Sequence, residues 1–279
     1  MDTKVLTQDY GSIDERVLKC IINIDGLGTG FLVERQIPNQ LGKSKIFLIT
    51  NKHMIGSWNM VDPFIPKPKI TGYFYSNQSG IPTIALDITI LDAKNNYLPT
   101  VKIHPRHKID IVVIDVTQQI LTTPNLYISR LDMSYLVPLE DIGKNTYTGV
   151  GDQVFAIGYP AGITSKNTNL PIVKSGFISS SLSGDLEIYS IWKDRIGNIH
   201  KVSGEGKFFL VDGLIVGGNS GGPIVHPRQR KYKVEKGQLS YTKDEIPNLV
   251  FGIVSYTLTD TGISVIYSSD HILELINQF

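Results

Sequence analysis

Short apolar runs separated by Gly, Pro and Asn dominate the chain. Residues 46–50, 111–116, 154–159, 208–211 and 250–256 are rich in β-branched and aromatic side chains. Each is bounded by turn residues, so each predicts a strand. Helical periodicity is confined to 270–279, where Ile272, Leu273, Leu275 and Ile276 share one face and Asp270 is placed to cap the first turn. Many short strands with few helices predict an all-β sandwich or barrel. A polar segment at 117–147 is read as a link between two lobes. Three stretches read as loop elaborations: 62–83 with its prolines, 179–207, and the charged 228–247, taken as a solvated hairpin.

Composition narrows the class of partner. Apolar residues make up 41% of the chain, charged residues 19%, and the net charge is +1, which gives no reason to expect nucleic acid or an acidic membrane surface. Met1-Asp2-Thr3-Lys4 has no apolar export core, and no run reaches the length of a membrane span. The single cysteine, Cys20, cannot form an internal disulfide and sits among apolar neighbours, so it reads as an inert core residue. Together these features predict a cytoplasmic protein.

The chemistry concentrates in Gly218-Asn219-Ser220-Gly221-Gly222-Pro223. A serine flanked by glycines lets a substrate carbonyl approach the backbone, and such a turn can aim the Gly218 and Ser220 N–H groups at one developing oxyanion. A serine nucleophile needs a histidine base and a carboxylate to orient it. His53, at the end of an apolar run in Thr50-Asn51-Lys52-His53, is the candidate base. Asp110, entering the run Asp110-Ile111-Val112-Val113, is the candidate acid, with Asp115 at the far end of that run as competitor.

The order His53, Asp110, Ser220 in these contexts resembles the chymotrypsin-like serine peptidases over most of the chain. Gly28-Thr29-Gly30-Phe31-Leu32-Val33 and Phe251-Gly252-Ile253-Val254-Ser255-Tyr256 are similar to that family's early strand and to the strand after its nucleophile. Gly151 to Pro160 and Val173 to Ser179 resemble bacterial HtrA-type and trypsin-like peptidases, without the PDZ module. The resemblance implies one peptidase domain over 1–279, built as two six-stranded antiparallel barrels. The first spans about 13–120, a linker 121–139, the second barrel 140–269 and a helix 270–279. It further implies Ser255, Tyr256 and Thr257 as the edge that pairs with substrate, Ser255 as a support for Asp110, and Leu214 as the floor of the primary specificity pocket. Leucine there and Thr257 at the pocket mouth imply a small or medium uncharged residue before the cleaved bond. Asn219 stands where digestive relatives carry the aspartate that clasps a trimmed N-terminus, so activation by trimming is not implied.

The implied reaction is cofactor-free serine endopeptidase hydrolysis of a protein or peptide. The long loops and intracellular setting leave a second expectation, a latent protease-fold module that an activating protein partner switches on. A distant alternative is an α/β-hydrolase esterase using Ser220, Asp244 or Asp260, and His271, a fold whose alternating strands and helices the chain lacks. Gly26 to Gly30 and Gly143 to Thr146 lack the spacing of nucleotide-binding loops. His104 and His107 read as solvated loop histidines, with no second ligand pair at metal-site spacing and no metal expected.

Overall fold

The computed structural model describes residues 4–9, 12–40, 42–146, 148–164, 168–184, 186–213, 215–235, 238–258 and 261–279. The expected runs become strands at Ser44–Thr50, Val112–Asp115, Gln153–Gly158, Phe208–Asp212 and Val250–Thr257. Their side chains are buried on both faces over much of their length, as the unbroken apolar stretches require. Each fully buried Ile, Val, Leu or Phe contributes about 1.5–3 kcal/mol.

The C-terminal lobe is a closed six-stranded barrel: Gln153–Gly158 pairs with Ile172–Ile178, which pairs in turn with Phe208–Asp212, Ile263–Ser268, Val250–Thr257 and Pro223–Val225, and the last returns to Gln153–Gly158. The N-terminal lobe departs from the expected first barrel. Its strands run Thr83–Thr89, Lys69–Tyr75, Ile21–Ile24, Gly28–Gln36, Ser44–Thr50, Val112–Asp115, Val101–Ile103 as a curled open sheet, and no ladder joins the two edge strands among the described residues. The connection between them turns at Asp92, and pairing starts there through the Leu91–Tyr97 bridge and the Leu98 amide on Ile90 O. It goes no further, because the Ile90 and Leu91 amides are given to the Pro68 carbonyl and the Val101 amide to Leu98 O. Gly28–Gln36 carries a third neighbour, because its first half pairs with Ile21–Ile24 and its second half with Leu131–Asp132.

The segment 62–83 is not all loop. Lys69–Tyr75 follows Pro68 as a full strand, pairing on one side with Ile21–Ile24 and on the other with Thr83–Thr89. The stretch 179–207 holds the hairpin Tyr189–Lys193 and Ile199–Ser203, and Gln229–Glu235 with Gln238–Ile246 forms the charged hairpin, which Lys4–Asp9 extends. The linking region carries helices at Thr117–Thr122 and Leu139–Thr146.

One hydrophobic core runs through both lobes, from Phe31, Leu48 and Val113 to Tyr159, Val225 and Ile253; a second cluster around Phe209, Phe251 and Ile266 belongs to the barrel. The last helix, Ser269–Ile276, leaves the barrel and packs on Val112–Asp115 of the other lobe. Its N-cap is Ser268, not Asp270. The Ser268 hydroxyl accepts from the Asp270 amide, while the Asp270 carboxylate is engaged by the Leu139 amide and the Lys207 ammonium. No helix among the described residues is long and apolar enough to cross a membrane.

Candidate active site

His53 lies in the one-turn 3₁₀ helix Lys52–Met54, which ends the apolar strand Ser44–Thr50. Asp110 enters the neighbouring strand and has no solvent exposure. The pairing of those two strands brings the side chains together: His53 Nδ1 lies 2.6 Å from Asp110 Oδ2, and the His53 amide donates to Oδ1 at 3.2 Å. Ser255 Oγ donates to Oδ2 at 2.9 Å, and Asn51 Nδ2 donates to the Asp110 carbonyl at 2.6 Å. Burial pulls the His53 pKa down, but the charge and hydrogen bond of Asp110 together outweigh it and leave the pKa raised. Asp115 lies elsewhere, its carboxylate taken by the Thr117 amide and hydroxyl at a helix start.

Lys52, next to the histidine, is buried with its ammonium on the Arg106 and His107 carbonyls; desolvation lowers its pKa to about 8. Trp58 Nε1 also donates to the His107 carbonyl. These bonds fasten the loop that leads into Asp110.

Ser220 sits in a tight turn between two glycines of positive φ. Gly218 has φ +96°, and a Cβ there would lie 2.2 Å from the Tyr159 carbonyl; Gly221 has φ +83°, and its Cβ would lie 2.0 Å from the Thr29 carbonyl. No L side chain fits either place. Asn219 N donates to Val216 O, Gly221 N to Val254 O and Gly222 N to Asn219 O. The Gly218 and Ser220 amides, in contrast, have no acceptor among the described residues. Gly217 O accepts from Ala161 N at 2.7 Å, and because a trans peptide sets C=O and N–H in opposite directions this fixes where the Gly218 N–H points.

His53 and Ser220 line one cavity of about 370 Å³. The Ser220 hydroxyl donates to the Ser255 carbonyl at 3.2 Å, and no hydrogen bond joins it to the imidazole. One wall is Ser255, Tyr256 and Thr257, and the facing wall is Ile215, Val216 and Gly217. Thr257 Oγ1 crosses between them to donate to Ile215 O at 3.2 Å. Leu214 lies outside the described residues.

Several lining residues escape sequence reasoning. Trp58 stacks beside His53 with ring centroids 6.2 Å apart, and Trp192 stands edge-on to Trp58 and to Tyr256 at 5.9 and 5.5 Å. Trp192 belongs to the hairpin inside 179–207, whose Arg195 reaches the Pro63 carbonyl across the cleft. Thr29, completely buried, contacts the Ser220 turn from the other lobe. The run Gly28-Thr29-Gly30 reads as the start of a strand, but the Thr29 hydroxyl gives no signal in the sequence because its partners lie far along the chain.

His104 corrects the reading of solvated loop histidines. It is 2% exposed and forms a cluster with His271 and Glu274 whose potential ligand atoms lie within 4.8 Å of one another. The outer nitrogens decide its chemistry. The Lys207 amide donates to His271 Nε2 and the Arg106 amide to His104 Nδ1, so each ring carries its proton on the nitrogen that faces Glu274. A metal-binding histidine needs the reverse, with its outer N–H given to an acceptor. The cluster is therefore a carboxylate accepting from two neutral imidazoles. Cys20 is also inert, because burial raises its thiol pKa to about 12.

A domain-family model for the trypsin-like peptidase domain matches residues 28–231, and the chain belongs to that family, a peptidase of the serine class. Among solved structures, the Rv3671c protease from M. tuberculosis in its active form is 15% identical. The match covers 95% of this chain and 82% of that one with a TM-score of 0.49. The inactive form of the Rv3671c protease is also 15% identical, with 95% and 90% covered and a TM-score of 0.45. No curated protein matches the chain.

Proposed function

We propose that the chain is a serine endopeptidase that uses Ser220 as nucleophile, His53 as general base and Asp110 as the orienting carboxylate. The observation that carries this reading is the buried Asp110 on His53 Nδ1, in one cavity with a serine whose turn leaves the Gly218 and Ser220 amides unengaged. The Ser220 hydroxyl rotates from the Ser255 carbonyl to His53 Nε2, loses its proton there and attacks the scissile carbonyl. The Gly218 and Ser220 N–H groups take up the oxyanion, at about 3 kcal/mol per donor. Imidazolium then protonates the leaving amine, and water, deprotonated by His53, hydrolyses the acyl-enzyme and regenerates the serine.

The substrate pairs as an added strand along Ser255, Tyr256 and Thr257. Its residue before the cleaved bond is small or medium and uncharged, which the Thr257 bridge to Ile215 and the lack of any carboxylate among the described lining residues support. A second reading has one observation in its favour: with the hydroxyl on Ser255 the resting site is latent, and a protein partner releases it.

Intact-mass spectrometry after exposure to an alkyl fluorophosphonate tests the proposal. One adduct per chain is expected, lost in Ser220→Ala and His53→Ala. A folded wild-type protein that takes up no adduct overturns the constitutive reading and leaves the latent one. Labelling that persists in Ser220→Ala overturns both.

A further inference from the structure

We infer that Thr29 is a positioning residue for the oxyanion hole, acting from the opposite lobe through its hydroxyl; the inference rests on the function proposed above. Thr29 opens the strand Gly28–Gln36 of the open sheet and has no solvent exposure. Its backbone amide donates to Ser220 O at 2.9 Å. Its hydroxyl donates to Gly218 O at 2.6 Å and accepts from the Tyr159 amide at 3.1 Å. Its own carbonyl accepts from Thr50 Oγ1 at 2.7 Å, three residues before His53.

A hydroxyl has one proton, so the order is fixed: Tyr159 N–H to Thr29 Oγ1, and Thr29 O–H to Gly218 O. Bonds in such a chain polarise one another. The hydroxyl matters because three consecutive peptide planes set the hole. The plane between residues 217 and 218 is held by Ala161 N on Gly217 O, and the plane between 219 and 220 by Gly222 N on Asn219 O. These two planes carry the Gly218 and Ser220 N–H groups. The middle plane joins them, with its N–H on Val216 O and its carbonyl on Thr29. Gly218 has no side chain to restrain it, and without the hydroxyl its carbonyl loses its partner among the described residues. That leaves the longer Asn219 N–H bond to Val216 O as the remaining hold on the plane that sets the angle between the two oxyanion donors. The branched side chain adds to this, because its χ1 is restricted and its methyl faces Gly222.

Thr29→Val keeps the shape and removes the hydroxyl; Thr29→Ser keeps the hydroxyl. The experiment measures the second-order rate of alkyl fluorophosphonate labelling against pH, with the melting temperature and the amide exchange of Asn219. Thr29→Val is expected to lower the plateau rate by about tenfold to a hundredfold, the scale set by misplaced catalytic groups. The pH midpoint, which reports His53, stays at the wild-type value, and Thr29→Ser recovers the rate. A Thr29→Val loss below about tenfold, or a loss that Thr29→Ser shares in full, overturns the inference while wild-type labelling leaves the proposed function standing. If wild type takes up no label, the constitutive reading fails separately and exchange decides. Faster exchange of Asn219 in Thr29→Val than in wild type and Thr29→Ser upholds the clamp, and equal exchange overturns it.

Discussion

Asp110 accepts from three donors at once, the His53 ring, the His53 amide and the Ser255 hydroxyl. Only one of them, the ring, changes charge during the proposed reaction. The carboxylate therefore has two jobs that a neutral amide separates: it fixes the imidazole tautomer and it favours the imidazolium. Because Asp110 raises the His53 pKa against the opposing effect of burial, the labelling rate is expected to rise with pH through a midpoint above 6.5, as the imidazole gives up its proton. In Asp110→Asn burial acts unopposed, so the midpoint falls below its wild-type value while the plateau drops by about 10³–10⁴-fold. Stopped-flow labelling between pH 5 and 9 checks both, and an unmoved midpoint denies Asp110 this role. Residues of this kind are legible in a sequence because the reaction restricts their type and local setting. Thr29 is not, since its hydroxyl acts on Gly218, 189 positions away, and threonine at a strand start is ordinary without that contact.

Two elements, the strand Val250–Thr257 and the segment 215–217, face each other as walls of a slot, and the Thr257 side chain ties them. Thr257→Gly removes the tie and opens the mouth. The variant is expected to gain about tenfold in kcat/KM for large apolar over small residues before the cleaved bond, the worth of a methylene or two in an apolar pocket. A peptide library cleaved by both proteins gives the measurement; unchanged profiles would show that the slot does not select there. The strands of both walls follow from apolar runs, but their closure does not. Sheet closure depends on whether edge strands pair, and the pairing that starts beside Asp92 stops before Thr83–Thr89 and Val101–Ile103, where the Ile90 amide goes to Pro68 O and the Val101 amide to Leu98 O, without altering either run. The last helix repeats the lesson. Asp270 has the chemistry of a cap, yet tertiary partners Leu139 and Lys207 hold its carboxylate, and Ser268 takes the capping position.

The two lobes are joined not only by the cleft but by the cluster of His104, His271 and Glu274, in which the N-terminal lobe meets the last helix. The rings of His104 and His271 lie perpendicular at 4.9 Å, each bonded to Glu274 on one side and to a backbone amide on the other. Protonating either ring sets an N–H against an amide N–H. Burial accordingly lowers the His104 pKa to about 4, against help from Glu274 and with opposition from His271 and Lys52; it lowers that of His271 as well, against Glu274 and Asp270 and with Arg106. Above 6.5 both histidines are neutral in the folded and unfolded chain, and their packing contributes in full. Below it the unfolded chain takes up protons that the folded one refuses, so stability falls with pH until His104 itself protonates near 4. His53 has the opposite sign: with its pKa raised, its contribution is fully present below 6.5 and is lost as pH rises through the raised value, so it does not vary between 6.5 and 5. Urea unfolding between pH 6.5 and 5 thus isolates the buried pair, and a loss of about 2 kcal/mol is expected from His104 alone. His104→Gln, whose amide still reaches Glu274 but does not titrate, should flatten the curve. An equally steep fall in that variant would place the acid sensitivity elsewhere. Activity and stability then fail in sequence on acidification, first by protonation of His53 and afterwards by strain at the junction of the lobes, which sets the working range of the molecule at neutral pH and above.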